Sequence, residues 1–289
     1  MNPKQINPKD LASSAANTWC PGCGNFSILG AMRAVLAELD GEGYPLEDVV
    51  LVSGIGCHAK IVDYLNVNSF YSIHGRTIPV ATAIKIANPD LKVICFSGDG
   101  DSLAEGLEHL IFAAKRNIDI TLILHDNRVY GLTTGQYTPT SPSGFRGRST
   151  PSGAVEPPLN PLELMLSSGA TYIARGYSHG IEQLQRLFKE AILHKGFSFV
   201  DVLQVCVSYH NLYESYNQWT YVVEDNDRSS FEQAEKIIRS WNYNRSDVPI
   251  PLGSFYQIDA PRFDQSFSSY RPGREERESK IKEILENFI

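Results

Sequence analysis

Short apolar runs alternate with amphipathic segments over most of the chain, and this alternation restricts the fold more than any other feature of the sequence. The runs are rich in Val, Ile and Leu and are continuous, as in strands that are buried on both faces. The predicted strands are Val49–Ser53, Lys92–Ser97, Ile120–His125, Thr171–Ala174 and Ser198–Val205. Such a regular alternation predicts an α/β fold in which a parallel sheet is flanked by helices.

The amphipathic segments between the runs are predicted to form helices. The segment Gly180–His194 has the clearest periodicity, because its apolar residues fall on one helical face. These residues are Ile181, Leu184, Leu187, Phe188, Ala191 and Ile192. The other predicted helices are Phe26–Leu39, Ile78–Ala87, Ser102–Arg116 and Leu159–Ser168.

A long segment after the third predicted strand interrupts the pattern. Thr133–Pro158 is dense in Ser, Thr, Pro and Gly and predicts a long loop. Loops of this length inside a domain are usually functional or disordered. We expect this loop to pack over an active site or against a partner, and a solvated mobile loop is the alternative. Its Arg146 and Arg148 could attract phosphate groups or an acidic protein.

The sequence changes character after the last predicted strand. Ser230–Trp241 predicts a helix, Pro249–Tyr270 predicts irregular structure, and Glu275–Phe288 predicts a charged amphipathic helix. We therefore divide the chain into a core domain, residues 1–206, and a C-terminal extension, residues 207–289, that packs on the core or on a partner.

Composition excludes several classes of protein. The net charge of −7 argues against a general nucleic-acid binder, which usually carries a basic surplus. No run of about 18 apolar residues occurs, so no membrane span is expected. The polar N-terminus lacks the apolar segment of a signal peptide, and a cytosolic location is therefore expected. Five cysteines in a cytosolic chain of this length do not indicate a disulfide framework.

Four of the cysteines lie where a strand ends or before a helix begins. Cys20 and Cys23 form a CxxC motif before the first predicted helix, Cys57 follows the first strand, and Cys206 ends the last. The ends of parallel strands converge at one edge of a sheet, so these thiols could meet. A CxxC motif alone is compatible with a redox dithiol, half a zinc site or chance, whereas four thiolates also suit an iron–sulfur cluster. Cys95 lies within a strand and is predicted to pack in the core.

The turn Gly98-Asp99-Gly100-Asp101 directly follows a predicted strand and begins a helix. Glycines there let the backbone approach a phosphate, and an acidic residue can hold a divalent cation. The next strand ends near Asn127, whose amide oxygen is a ligand that Mg²⁺ accepts. For the turn alone, an ordinary turn with an Asp helix cap is the alternative. The turn followed by a strand and Asn127 is typical of the diphosphate-binding half of thiamine-diphosphate enzymes.

An ordered set of motifs resembles the β subunits of 2-oxoacid:ferredoxin oxidoreductases, and the 2-oxoglutarate type in particular. The resemblance runs from about residue 15 to residue 210. The motifs are Trp19–Gly24 (WCPGCG), Ser53–His58 (SGIGCH), His74–Arg76 (HGR), Pro79–Leu91 (PVATAIKIANPDL), Gly98–Asp101 (GDGD), Lys115–Asn117 (KRN), Tyr130–Thr133 (YGLT) and Pro139–Pro142 (PTSP).

The resemblance implies three cofactors and the residues that hold them. It implies a [4Fe–4S] cluster on Cys20, Cys23, Cys57 and Cys206, and Mg²⁺ on Asp99, Asn127 and the Val129 carbonyl. It surrounds thiamine diphosphate with Ile55, Gly56, Cys57, His58, His74, Gly100, Asp101, Gly131 and Leu132. It also gives His74 a catalytic role, for which a histidine packed in the core is the alternative.

The resemblance further implies a catalytic subunit of an oxidoreductase that acts on 2-oxoacids. The reaction would be the coenzyme A-dependent oxidative decarboxylation of a 2-oxoacid, 2-oxoglutarate favoured, to acyl-CoA and CO₂. Electrons would pass through the cluster to ferredoxin. The implied partner is an α subunit with the pyrimidine-binding half of the site and its activating Glu, in an α₂β₂ heterotetramer. The alternatives are a pyruvate or indolepyruvate oxidoreductase subunit and a zinc-stabilised, non-catalytic binding protein on the same fold.

Two residues depart from the family pattern beside the predicted site. Many members have Gly where this chain has Arg128, directly after the metal-binding Asn, and many have Lys where Thr134 stands. Neither change removes a proposed ligand. Because both positions are next to the predicted site in sequence, we expect them to affect the preference for substrate and coenzyme A.

Overall fold

The computed structural model describes residues 6–270 and 273–288. The strands in this part of the chain are β1 (Val49–Ser53), β2 (Ser69–Tyr71), β3 (Lys92–Gly98), β4 (Thr121–Asp126), β5 (Tyr172–Tyr177), β6 (Ser198–Leu203), β7 (Thr220–Val222) and β8 (Ile250–Gln257). The α-helices are α1 (Asn25–Gly41), α2 (Thr77–Ala87), α3 (Asp99–Leu103), α4 (Leu107–Arg116), α5 (Pro161–Ser168), α6 (Ile181–Leu193), α7 (Tyr213–Trp219), α8 (Phe231–Arg239) and α9 (Arg274–Glu286). None of the helices in these residues is long and apolar enough to cross a lipid bilayer.

The eight strands of the described residues form one sheet, in the order β2-β1-β3-β4-β6-β5-β8-β7. Strands β1 to β6 run parallel to one another, β8 pairs with β5 in the antiparallel direction, and β7 is parallel to β8. The predicted α/β fold with a mostly parallel sheet is therefore confirmed. The antiparallel strand β8 was not predicted.

Helices cover both faces of the sheet and bury two separate hydrophobic clusters. One cluster joins α1 and α6 to the sheet through residues that include Met32 and Leu187. The other joins α2, α4, α5 and α8 to the opposite face through residues that include Leu110, Met165 and Ile238. Because both faces are covered, β4, β5 and β6 are buried along their whole length, which explains their continuous apolar sequences.

Two predictions of secondary structure were wrong. Pro249–Tyr270 was predicted to be irregular, yet it contains β8, whose Pro251 and Gly253 interrupt the apolar pattern while pairing with β5 stabilises the strand. The predicted helix Ser102–Arg116 is divided into α3 and α4. The break between α3 and α4 lies against the backbone of Gly75. A β-carbon on Gly106 would lie only 2.6 Å from the Gly75 carbonyl oxygen.

Residues after 206 pack on the core and extend its sheet. A third hydrophobic cluster combines Leu203 of the core with Trp241 and Ile250 of the extension. The helices predicted at Ser230–Trp241 and Glu275–Phe288 correspond to α8 and α9. The division of the chain at residue 206 stays a prediction.

The carboxyl ends of β1, β3, β4 and β6 meet at one edge of the sheet. In the register of the strands, Gly98 pairs with His125 and Asp126 pairs with Leu203. The segments that follow these strands carry most of the predicted site residues. The sheet therefore places these segments side by side.

Candidate active site

The segments at this edge enclose a small cavity of about 70 Å³, which we call the glycine cavity. All nine residues predicted around thiamine diphosphate line it: Ile55, Gly56, Cys57, His58, His74, Gly100, Asp101, Gly131 and Leu132. The three predicted Mg²⁺ ligands, Asp99, Asn127 and Val129, line it as well. The fold thus brings together residues from four distant parts of the sequence.

Asp101 lies in the wall of the glycine cavity and connects its parts. Its carboxylate accepts hydrogen bonds from the backbone N–H of Gly75 at 2.8 Å and of Ile55 at 3.3 Å. His74 Nδ1 lies 3.0 Å from one carboxylate oxygen, and His58 Nε2 lies 3.4 Å from the other. Burial would raise the pKa of Asp101, but its contacts, foremost those with the two histidines, hold the pKa well below its usual range. The ionised carboxylate therefore fixes both histidines at the cavity.

His74, the predicted catalytic residue, is 37% exposed at the mouth of the cavity and is therefore not a core residue. Its contact with the Asp101 carboxylate raises the pKa of His74, while partial burial opposes this effect. An imidazole held in this way stays protonated to a higher pH than usual, and it can donate a proton or a hydrogen bond to a ligand.

Close packing requires glycine at two positions of the GDGD turn. A β-carbon on Gly100 would lie 2.2 Å from the ring of Tyr130, and one on Gly98 would lie 2.7 Å from His58 Nδ1. Gly98 is also the N-cap residue of α3, and no side chain caps this helix. The alternative of an ordinary turn with an Asp cap is therefore wrong. Neither Asp side chain caps the helix, and each makes other contacts instead.

Asp99 is buried in the cavity wall beside a second carboxylate. Its Oδ2 accepts hydrogen bonds from the hydroxyls of Thr138 at 2.5 Å and Thr140 at 2.7 Å. Burial, and then the negative charge of Asp126, raise the pKa of Asp99 to about 7. A cation bound here would offset the repulsion between the two carboxylates, so the site suits a divalent metal.

Asn127 and Val129 supply further oxygen atoms to the same wall. The Asn127 amide oxygen accepts a hydrogen bond from the Val129 N–H at 3.0 Å, and its amide nitrogen donates to Gln204 Oε1 at 3.0 Å. Carboxylate, amide and backbone carbonyl oxygens are the hard ligands that Mg²⁺ prefers. The predicted ligand set therefore fits this metal in chemistry and in location.

Four cysteines line a second cavity of about 230 Å³, which we call the cysteine cavity. They are Cys20, Cys23, Cys57 and Cys206. Cys95 is fully buried within β3, as predicted, and all five thiols are free. Within residues 6–270 and 273–288, no three His, Cys, Asp or Glu side chains converge closely enough to be identified as ligands of a metal ion. The cysteine cavity nevertheless offers four thiols, the number of thiolate ligands that a four-iron cluster takes.

The cysteine thiols have surroundings in which a bound, positively charged metal centre would stabilise their thiolate forms. Burial, together with the charges of neighbouring cysteines, raises the pKa of Cys23 to about 12 and that of Cys57 to about 11. A bound iron centre would favour their thiolate forms. Gln204 Nε2 lies 3.5 Å from Cys23 Sγ, and the Ser208 hydroxyl lies 3.3 Å from Cys20 Sγ. Such donors stabilise ligating sulfur atoms.

The two cavities share a wall. Cys57, Asn127, Gly131 and Leu132 line both of them. A β-carbon on Gly131 would lie 3.6 Å from the sulfur atoms of both Cys57 and Cys206. Gln204, which we did not predict, contacts Asn127 on one side and Cys23 on the other. Groups bound in the two cavities would therefore be neighbours.

The loop after β4, residues 127–160, packs against Asp99 in the wall of the glycine cavity. Thr138 and Thr140 are its contacts with Asp99, and both side chains are buried. These two threonines were not predicted, and a role of Thr133–Pro158 in covering the active site or contacting a partner stays a prediction. Arg146 and Arg148 are exposed on the loop, and Arg148 donates a hydrogen bond to Thr134.

Arg128 lies away from both cavities. Its side chain is only 1% exposed and lines neither cavity. The guanidinium donates a hydrogen bond to the Thr140 carbonyl at 2.7 Å and lies over the rings of Trp241 and Tyr243. The side chain thus lies in the interface with the C-terminal extension, and an effect of Arg128 on the preference for substrate and coenzyme A stays a prediction.

An exposed apolar surface borders the glycine cavity. Strand β2 is the edge strand of the sheet, and its Phe70 and Tyr71 are 50% and 42% exposed. Ile73, directly before His74, is 72% exposed. We call these three residues the edge patch. Clustered apolar side chains beside a cavity are typical of a surface that another protein covers.

Known proteins resemble the chain in sequence and in fold. Residues 54–202 match the C-terminal TPP binding domain of thiamine pyrophosphate enzymes. A 2-oxoacid:ferredoxin oxidoreductase subunit beta from a Sulfolobus species is 40% identical over 94% of this chain and 95% of that protein. The 2-oxoglutarate oxidoreductase subunit KorB of Mycobacterium tuberculosis is 43% identical over 68% of this chain and 52% of that protein. A solved structure of 2-oxoglutarate:ferredoxin oxidoreductase from Magnetococcus marinus, with 2-oxoglutarate, coenzyme A and succinyl-CoA bound, has a TM-score of 0.87 at 35% identity and covers 93% of this chain and 90% of that chain.

Proposed function

The chain belongs to the β subunits of 2-oxoacid:ferredoxin oxidoreductases, and on that premise we propose that it carries out the coenzyme A-dependent oxidative decarboxylation of a 2-oxoacid to acyl-CoA and CO₂. The favoured substrate is 2-oxoglutarate, because relatives named for this substrate and a structure that contains it are similar to the chain. Electrons leave through a [4Fe–4S] cluster to ferredoxin.

The shared wall of the two cavities is the observation that carries this proposal. A decarboxylation that yields electrons needs an acceptor close to the reacting atoms. Cys57, Asn127, Gly131 and Leu132 separate the glycine cavity from the cysteine cavity by a single layer of residues. This arrangement supports direct transfer from one site to the other.

The glycine cavity holds the diphosphate end of the cofactor in this proposal. Asp99, Asn127 and the Val129 carbonyl would hold Mg²⁺, which would offset the negative charge of the diphosphate. When bound, thiamine diphosphate supplies the carbon nucleophile and the electron sink for decarboxylation. Asp101 keeps His58 and His74 in place, and His74 donates a proton or a hydrogen bond at the cavity mouth.

The cysteine cavity holds the cluster through Cys20, Cys23, Cys57 and Cys206. Cys20 is exposed to solvent, whereas Cys57 faces the glycine cavity as well. A cluster held by these cysteines would accept electrons on the side of Cys57 and could pass them on at the exposed side of Cys20. Arg146 and Arg148, both exposed, are positioned to attract an acidic ferredoxin or the phosphates of coenzyme A.

The α subunit that the family implies completes the site. A cavity of about 70 Å³ is much smaller than the roughly 300–1,000 Å³ of a pocket that encloses a whole ligand. The α subunit adds the pyrimidine-binding half with its activating Glu, and it covers the edge patch. Two such pairs form an α₂β₂ heterotetramer. The location is the cytosol, where the five free cysteines stay reduced.

An anaerobic assay of the co-expressed complex tests this function. Reduction of methyl viologen is followed with coenzyme A and a panel of 2-oxoacids, and 2-oxoglutarate is expected to give the fastest rate. If pyruvate or indolepyruvate gave the fastest rate, the substrate assignment would be wrong, but the proposed type of reaction would stand. No reduction with any 2-oxoacid, together with bound zinc and no visible absorbance, would favour the non-catalytic binding protein.

A further inference from the structure

The turn that carries two proposed metal ligands has an uncommon backbone conformation. Arg128 lies between Asn127 and Val129 and has a φ of 61°, in the left-handed region that residues with large side chains rarely adopt. Such a conformation persists where the surrounding contacts hold it. The contacts of Arg128 therefore help to determine the positions of Asn127 and Val129.

The Arg128 side chain makes these contacts away from the glycine cavity. Its Nε donates a hydrogen bond to the Thr140 carbonyl at 2.7 Å, and its Nη2 donates to the Tyr243 carbonyl. The guanidinium lies 5.8 Å from the ring of Trp241 and 5.1 Å from that of Tyr243. A planar, fully buried guanidinium with fixed acceptors and ring partners leaves the turn little freedom.

Tyr243 holds the residue on the other side of Asn127 as well. Its hydroxyl donates a hydrogen bond to Asp126 Oδ2 at 2.5 Å, while its carbonyl accepts the bond from Arg128. Asp126 and Arg128 are the immediate neighbours of Asn127 in the chain. One residue of the C-terminal extension, 117 positions after Asp126, thus contacts the side chains of both chain neighbours of a proposed metal ligand.

We propose that Tyr243 and Arg128 are positioning residues that keep Asn127 and the Val129 carbonyl in place for the divalent cation. The inference rests on the proposed function, because it takes this cation to be the one that binds thiamine diphosphate. The C-terminal extension then takes part in cofactor binding without contacting the cofactor. Removing the hydrogen-bonded partners that orient metal ligands typically lowers metal affinity about 10- to 100-fold.

The test measures the Mg²⁺ concentration that gives half-maximal binding of thiamine diphosphate, by calorimetry on the anaerobically purified complex with the α subunit. Arg128→Gly removes the guanidinium and leaves a residue that adopts this φ freely. Tyr243→Phe removes only the hydroxyl. We expect the half-saturating Mg²⁺ concentration to rise about tenfold in Arg128→Gly and less in Tyr243→Phe. Arg128→Lys, which keeps the charge and can reach one acceptor, should recover part of the loss.

Tyr172→Phe is the matched control. Like Tyr243, Tyr172 is buried and its hydroxyl donates a hydrogen bond to a carboxylate, Glu190 Oε2 at 3.2 Å, but it belongs to β5 and not to the loop. This variant should lower the melting temperature and leave the Mg²⁺ requirement unchanged. Visible absorbance of the cluster per chain reports the folded fraction of every variant.

The outcomes separate this inference from the function on which it rests. If the Arg128 and Tyr243 variants kept the wild-type Mg²⁺ requirement, or if Tyr172→Phe changed it equally, the positioning role would be overturned and the proposed function would stand. A wild-type complex that bound no thiamine diphosphate at any Mg²⁺ concentration would overturn both. If Arg128→Gly failed to assemble, Tyr243→Phe and Arg128→Lys would decide the question.

Discussion

The two carboxylates of the GDGD turn have different roles although they are two positions apart. Asp101 is surrounded by donors that hold its pKa low, whereas burial and the nearby Asp126 raise the pKa of Asp99 to about 7. The difference comes from their partners rather than from the residue type. Asp101 is thus satisfied by the protein itself, and Asp99 is the carboxylate that a bound cation would stabilise.

Replacing Asp99 should therefore abolish cofactor binding without affecting the cluster. In Asp99→Ala, the diphosphate loses its metal, so we expect thiamine diphosphate binding to be abolished while the visible absorbance of the cluster stays. Calorimetric titration with thiamine diphosphate and Mg²⁺ measures the effect. Asp90→Ala, at an exposed position, is the control. Unchanged affinity in Asp99→Ala would contradict the metal assignment.

The cysteines can be tested as a series with an internal control. Serine at Cys20, Cys23, Cys57 or Cys206 should lower the iron content of the anaerobically purified chain, because each lines the cysteine cavity. Cys95→Ser should keep the iron and only lower the melting temperature, since Cys95 is fully buried within β3. Loss of iron in Cys95→Ser with retention in Cys206→Ser would show that the ligand set is wrong.

The contact between His74 and Asp101 should make stability depend on pH. Because the pKa of His74 is raised in the folded state, the contact stabilises the protein fully below the unfolded-state pKa of about 6.5, and this stabilisation is lost as the pH rises through the folded-state pKa. The melting temperature of the wild type should exceed that of His74→Gln most at about pH 5.5 and less by about pH 8.5. A difference that did not change with pH would argue against a protonated His74.

The residues that sequence could predict are those carried by short motifs. Gly100 and Asp101 belong to one motif, and the fold needs only to bring that motif to the sheet edge. Gln204 and Tyr243 could not be predicted, because their roles depend on contacts with residues far away in the sequence. The burial of Arg128 could not be predicted for the same reason: its position in the motif was visible, but the direction of its side chain was not.

At the scale of elements, the loop of residues 127–160 joins the parts of the site. Its first residues carry Asn127 and Val129, and its middle brings Thr140 onto Asp99. The Thr140 hydroxyl lies 2.7 Å from Asp99 and 2.8 Å from Asp126, between the two carboxylates. The composition of the loop predicted its irregular path but not these buried hydrogen bonds.

Removing that hydroxyl should loosen the loop. In Thr140→Val, the hydroxyl between two buried carboxylates is lost and one of them loses its donor, so we expect faster hydrogen exchange over residues 127–160 and about tenfold weaker binding of thiamine diphosphate. Hydrogen exchange with mass spectrometry and calorimetry measure the two effects. Thr150→Val, in the same loop and away from Asp99, is the control. Equal exchange in the two variants would argue against a structural role for the Thr140 contact.

Elements that depend on tertiary pairing were harder to predict than those with their own periodicity. Helix α6 was predicted almost to the residue, because its apolar face repeats regularly along Ile181–Leu193. Strand β8 was missed, because Pro251 and Gly253 hide a strand that pairing with β5 stabilises. The sequence of a segment shows which secondary structure it prefers. It does not show which neighbouring strand or helix will override that preference in the fold.

At the scale of the whole molecule, the chain presents an open half-site. Cofactor-binding residues, four cysteines and the edge patch all lie around the carboxyl edge of one sheet. The described residues contain one such sheet, and we propose that the α subunit supplies the pyrimidine-binding half. On this proposal the partner would be necessary for each turnover rather than for regulation alone.

Reduction of the cluster by a 2-oxoacid tests this account most directly. The chain is purified anaerobically with its cluster, supplied with Mg²⁺ and thiamine diphosphate, and mixed with 2-oxoglutarate and coenzyme A while the visible absorbance is recorded. We predict that the absorbance falls only when the α subunit is present, because only then is the cofactor site complete. A fall with this chain alone, or no fall with both subunits, would contradict the account.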